Sequence, residues 1–106
     1  MKSMQEDKMR VYLSGPITGT ADVERRFKEA AKRIRDMGHI PVNPFYVDKA
    51  LPGGTHSEYM AIDTILLDLS DAIYMMAGWK KSRGARCEYI HAKARGHEIM
   101  FEEAEE

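Results

Sequence analysis

The sequence predicts a single α/β domain, a four-stranded parallel sheet with helices on both faces, and three observations predict it. Short β-type runs alternate with longer amphipathic stretches along the chain. Their order reads βαβαβαβ, which implies a parallel sheet with right-handed crossovers. A length of 106 residues suits one domain and is too short for two. The expected architecture is a flavodoxin- or Rossmann-like three-layer sandwich with strand order 2-1-3-4. It fills residues 9–102, between a flexible N-terminal tail (1–8) and an acidic tail (103–106).

The first strand is the run Met9-Arg10-Val11-Tyr12-Leu13-Ser14, closed by the Gly15-Pro16 breaker. A loop leads to Asp22, an N-cap candidate. Val23, Phe27, Ala30, Ile34 and Met37 then recur on one helical stripe, with the basic residues mostly off it. Gly38 ends that helix as a C′ residue. Residues 39–43 supply a short second strand, stopped by Pro44. Residues 45–54 read as a Pro- and Gly-containing loop, after which Thr55-x-x-Glu58 reads as a capping box. The helix it opens is expected to bury Ile62, Ile65, Leu66 and Leu69. A third strand over 71–76, a third helix from Ser82 or Arg83 to Gly96, and a last strand over 97–101 complete the pattern.

Composition narrows the function classes. A net charge of -1 gives no global pull toward nucleic acid or an acidic membrane, so neither is an expected partner. The single cysteine, Cys87, allows no internal disulfide and fits a reducing compartment. The four histidines are scattered, without metal-ligand spacing, so no metal is expected. Residues 1–8 lack the apolar core of a signal peptide, and no apolar run approaches the roughly 20 residues of a membrane helix. A cytoplasmic location is expected.

In open sheets of this type a ligand sits beyond the carboxyl ends of the strands, where strand order reverses. That places the crevice between the first and third strands, walled by residues 15–20 and 77–84. Ser14, Thr18, Thr20 and glycine-freed amides there suit phosphate or sugar hydroxyls, but they equally suit an ordinary βα turn. The motif is not a Walker A loop, because no Gly-Lys-Ser/Thr follows. Ser82 and the first amides of the third helix form a second anion site, with Gly84 allowing close backbone approach. Glu88 flanks a stripe of Ala85, Tyr89, Ala92 and Gly96. It either faces the crevice or pairs with Arg95 or Lys93 at the surface, and the pattern does not choose. Asp63 lies mid-helix, where most aspartates are solvated. Asp71 sits at a helix–strand junction and reads as a turn former. Trp79 either stacks on a base or covers the core or a subunit contact, and Tyr12 shares that ambiguity. Two carboxylates converging on one crevice would suit glycosyl transfer, one attacking the anomeric carbon and the other handling the leaving group's proton.

The runs VYLSGPITG and DLSDAIYMMAGWKKSRGARCEY resemble the nucleoside 2-deoxyribosyltransferase superfamily, including the 2′-deoxynucleoside 5′-phosphate N-hydrolases. The chain looks closest to a compact, mostly phage and bacterial branch catalogued as a domain of unknown function, from residue 9 to 101. The resemblance implies that Tyr12 is the first-strand tyrosine beside the nucleophile. It implies that residues 14–19, including Ser14, Gly15, Ile17, Thr18 and Gly19, contact sugar and phosphate. Asp63, eight residues before Asp71, takes the place of the base-side catalytic aspartate. Ser82-x-Gly84-x-x-x-Glu88 has the spacing of the hydrolases' phosphate-binding serine and nucleophilic glutamate. With Trp79 as a further substrate contact, the expected function is cleavage or exchange of the N-glycosidic bond of a deoxynucleoside or its 5′-monophosphate, without a cofactor. The rival expectation is a nucleotide-binding or sensor module without turnover, and a third is a purely structural or partner-binding role. The better-known enzymes are longer and complete their sites with C-terminal residues, often a neighbour's, so a homo-oligomer is expected.

Overall fold

The computed structural model describes residues 8–17 and 21–103. Strands β1 (Arg10–Ser14), β2 (Ile40–Val42), β3 (Ala72–Met75) and β4 (Glu98–Phe101) form one sheet in the order β2-β1-β3-β4, every pair parallel. The strand order predicted from the alternation holds. Helices α1 (Val23–Asp36), α2 (Val47–Ala50), α3 (His56–Asp68) and α4 (Arg83–Ala94) fill the connections. Among the described residues no helix is long and apolar enough to cross a membrane.

The strand period of two divides the interior into two layers. Val11 and Leu13 of β1, with Ala72 and Tyr74 of β3, pack against Phe27, Ala30, Ala31 and Ile34 of α1. The alternate residues, Tyr12 of β1 with Ile73 and Met75 of β3, pack against Leu67 of α3 and Ala85 and Ala92 of α4. The central strands β1 and β3 are thus buried on both sides, as a parallel sheet between helix layers requires. Pro41, which has no N–H to donate, sits on the edge strand β2 opposite Val11.

The helix ends follow their sequence signals with one exception. Thr55 and Glu58 form the capping box reciprocally, at 3.1 and 2.8 Å. Gly38 and Gly96 adopt φ of 88° and 80° and close α1 and α4. In each, the glycine amide and the amide after it bond back to the last turn (Gly38 to Arg35, His39 to Ile34; Gly96 to Lys93, His97 to Ala92). The exception is Asp22. It stands before α1 but is left-handed at φ 62°, so its carboxylate caps no amide and pairs instead with Arg25 at 3.2 Å. Met37, expected on the α1 stripe, falls in the C-cap turn and is half exposed.

Two larger corrections concern the middle of the chain. Residues 45–54 are not a simple loop. Asn43 accepts from the Phe45 amide at 3.0 Å and starts a 3-10 turn, Pro44–Tyr46, that runs into α2. The inward stripe of α3 is also not the expected one. Ile65 and Leu69 are 58% and 60% exposed, and Ile62 and Leu66 are half-buried, while Leu67 and Ser70 are buried. Counting back one helical turn from Leu67 reaches Asp63, so the inward face of α3 carries a carboxylate.

Candidate active site

The geometry of the site follows from the same periodicities. Tyr12 and Ser14 are two residues apart on β1 and therefore face the same side of the sheet, toward α3 and α4. Glu88 lies three residues after buried Ala85 and four before buried Ala92, on the inward stripe of α4. The three meet. The Tyr12 hydroxyl donates to Glu88 Oε2 at 2.7 Å and the Ser14 hydroxyl to Oε1 at 2.6 Å. Both readings of Glu88 were open in the sequence, and the inward one is realised rather than a surface pair with Arg95 or Lys93. Arg95 instead reaches Asp68, at 3.5 Å.

Glu88 lines a cavity of about 770 Å³ together with Asp63, Gly15, Ile17, Ser82 and Gly84. Gly15 and Ser82 border one crevice at the carboxyl ends of β1 and β3, as strand order 2-1-3-4 requires. Gly15 is needed for contact rather than for backbone freedom. A Cβ there would meet the Met76 Cβ at 2.8 Å, where the chain leaving β1 crosses the end of β3. Ser82 caps α4, its hydroxyl accepting from the Ala85 amide at 3.2 Å. By helix geometry the Arg83 and Gly84 amides have no intrahelical acceptor. A Cβ at Gly84 would meet nothing within 4 Å, so the space above that backbone is open to a ligand. Thr18 and Gly19 lie outside the described residues.

Asp63 and Glu88 occupy contrasting environments within this one cavity. Burial pushes the Glu88 carboxyl above its ordinary value, and the Ser14 and Tyr12 hydroxyls pull it back. Arg83 lines the cavity, but Arg86 turns away to the Lys80 carbonyl at 2.7 Å. Asp63 has no such help. Its Oδ1 is buried with no hydrogen-bond partner among the described residues, and burial followed by the negative charge of Glu88 raises its pKa to about 7. Tyr12 is pushed well above its ordinary value by burial and then by the charges of Glu88 and Asp63, so it remains a proton donor. Of two neighbouring carboxyls, the one without donors keeps its proton longer. Both carboxyls are thus held above their ordinary values, Asp63 to about 7.

Trp79 is a correction. It does not line the cavity. Its ring packs on Tyr89 and Phe101, at 4.7 and 6.2 Å, over the end of β4. That stacking holds the indole over the core, although its turn begins beside the end of β1, where the Met76 amide donates to the Ser14 carbonyl at 2.8 Å. Asp71 has the structural role read for it, its carboxylate accepting from the Arg10 amide at 2.9 Å. Sequence reasoning missed the far wall, built from Pro44, Phe45 and Val47 after β2 and from Tyr59 and Met60 of α3. A usable signal existed. Strand β2 neighbours β1, so whatever follows its carboxyl end borders the same crevice.

The family model described as "Domain of unknown function (DUF4406)" matches residues 9–101. No curated protein sequence matches the chain. Among solved structures, the chain is similar to a 2-deoxyribosyltransferase from the psychrotolerant bacterium Bacillus psychrosaccharolyticus. The TM-score is 0.68 at 17% identity, over 92% of this chain and 77% of that one. The likeness in fold is therefore to a nucleoside 2-deoxyribosyltransferase, in line with the resemblance carried by the sequence motifs.

Proposed function

We propose, from the premise that the chain belongs to the DUF4406 family and has a 2-deoxyribosyltransferase-like fold, that it cleaves or exchanges the N-glycosidic bond of a deoxynucleoside or its 5′-monophosphate. One observation carries this reading. A carboxylate gripped by two buried hydroxyls shares a cavity with a second carboxyl that has one buried oxygen unpartnered among the described residues and a pKa of about 7. Glu88 attacks C1′ as the C1′–N bond breaks, and Asp63 gives its proton to the departing base. The glycosyl ester on Glu88 is then opened at C1′ by water or by a second base. The proton released in that step returns to Asp63 and the Glu88 carboxylate is regenerated. Tyr12 and Ser14 orient Glu88, and Ser82 with the first amides of α4 receives phosphate or sugar oxygens. The chemistry calls for no cofactor.

A panel of deoxynucleosides and their 5′-monophosphates, assayed for free base with and without an acceptor base, tests this. Base release is expected, with monophosphates bound more tightly than nucleosides and Ser82→Ala erasing most of that preference. Binding without release would favour a sensor module on the same fold, and neither binding nor release would leave the reading without support.

We further propose that the protein acts in the cytoplasm as a homo-oligomer. The outward face of α3 exposes Ile65 and Leu69, and the adjoining helix α4 exposes Ile90 at 66%. The two helices are tied by His91 and Asp68 at 2.7 Å. Large aliphatic side chains beside such a tie suit a subunit contact. Light scattering is expected to give a multiple of the 12.1 kDa chain, and Ile65→Lys to shift it toward the monomer. A monomer at high micromolar concentration would contradict the proposal.

A further inference from the structure

A single phenol ties the far wall of the cavity to the helix that carries Asp63. The Tyr59 hydroxyl donates to the Leu51 carbonyl at 2.8 Å and accepts from the Gly54 amide at 3.0 Å. Both groups belong to the turn between α2 and α3, so one side chain of α3 grips the end of the segment before it. That segment supplies Phe45 and Val47 to the cavity, and the Tyr59 ring lines the same wall beside Met60. The fit is close. A Cβ at Gly54 would meet two Tyr59 ring carbons at 2.8 and 2.9 Å, so the ring seats only against a glycine. Phe45 is backed in turn by Tyr46 and Phe27, with ring centroids 4.9 and 6.0 Å away. Apolar and aromatic side chains make up most of the wall, which also carries Asp48 and His56, and Asp63 stands four residues along α3 from Tyr59, on the same helical face.

We propose that the Tyr59 hydroxyl is a positioning residue for the leaving base. By holding the 51–54 turn on α3 it fixes the slot of Phe45, Val47, Tyr59 and Met60, in which a planar heteroaromatic base lies with its edge toward Asp63. The proposal rests on the glycosidic reading above and extends it by assigning which wall receives the base. The sugar and phosphate would then lie on the Ser14, Ser82 and Gly84 side. The ring can touch the base, but the hydroxyl gives its proton to Leu51 and accepts from Gly54, so its own effect on the ligand runs through the wall it holds.

Tyr59→Phe keeps the ring and removes both bonds, and the full-length protein with two kinds of probe tests it. The probes are the four deoxynucleoside 5′-monophosphates, which carry a base, and 2-deoxyribose 5-phosphate, which does not. Losing two hydrogen bonds from the wall is expected to weaken the best-bound monophosphate about tenfold. Affinity for 2-deoxyribose 5-phosphate should be unchanged, and exchange of the Gly54 amide should quicken by about the same factor. Gly54→Ala, which displaces the ring with the hydroxyl intact, should give the same selective loss. Unchanged monophosphate affinity in both variants overturns the proposal while leaving the glycosidic reading standing. Equal losses on both kinds of probe make the hydroxyl a general structural support and overturn it as well. If the wild-type protein binds none of the five probes, the reading falls and the base slot falls with it.

Discussion

Glu88→Gln is expected to bind nucleotide and to release base slower than the wild type by on the order of a thousandfold or more, the scale of losing a nucleophile. The variant isolates the charge because its surroundings tolerate the amide. Tyr12 can go on donating to the remaining oxygen. The Ser14 hydroxyl can rotate to accept from the new NH₂ group, since a hydroxyl both donates and accepts. Glu88→Ala would be a poorer test. It strands two buried hydroxyls, each at a cost of about 1–3 kcal/mol, and confounds catalysis with stability. Burial works against the Glu88 charge, so the glutamine variant should melt no lower than the wild type. A fluorinated 2-deoxy sugar analogue that turns over slowly should leave a mass adduct on the wild-type peptide containing Glu88 and none on the variant. Base release at a similar rate from both proteins would remove Glu88 from the chemistry, whatever the fold resembles.

How legible this site was depended on whether a residue's neighbours had an apolar reason to be where they are. The alternation in Val11-Tyr12-Leu13-Ser14 and the Ala85/Ala92 stripe are core patterns, and core patterns place Tyr12, Ser14 and Glu88 on facing surfaces. The resemblance favoured the inward direction of Glu88 that the stripe alone left open, and the Tyr12 and Ser14 hydrogen bonds show it. On α3 the same reasoning misled. Ile62, Ile65 and Leu69 outvote Asp63 in any count of hydrophobic residues, yet Ile65 and Leu69 face outward. The inward positions of its first turns line a cavity, which has no need of aliphatic packing. Trp79 was misplaced for a related reason. Its loop borders both the crevice and β4, and only the contact with Tyr89 and Phe101 decides between them. The far wall lay in a segment whose Pro and Gly content suggested an irregular loop. The Asn43 cap and the Tyr59 tie that order it are single hydrogen-bonding side chains, which leave no periodic trace.

Asp63→Asn should change how both activity and stability depend on pH. With its pKa at about 7, the wild-type acid is increasingly deprotonated through neutrality. Base release should therefore fall above about pH 7, and most for bases that leave poorly without protonation. The asparagine variant should be slow throughout and lack that alkaline limb. Stability moves in a direction fixed by linkage. The folded-state pKa lies above the ordinary 3.8, so the folded protein binds the extra proton between those values. The stabilisation it represents is complete below pH 3.8 and lost as the pH rises through about 7. A bare conversion of the shift gives about 4 kcal/mol. Asp63 is only half-buried, and solvent screening reduces that to about 1–2 kcal/mol. Asparagine does not titrate, so its stability relative to the wild type should improve between pH 5 and pH 8 in urea denaturation, by part of that amount, since some of the stabilisation is already lost between pH 3.8 and pH 5. Comparing the two pH values cancels any fixed cost of packing the amide. A gap between variant and wild type that stays constant from pH 5 to pH 8 would mean that Asp63 holds no proton at neutrality. Glu88 would then have to expel the base without an acid on that side of the cavity.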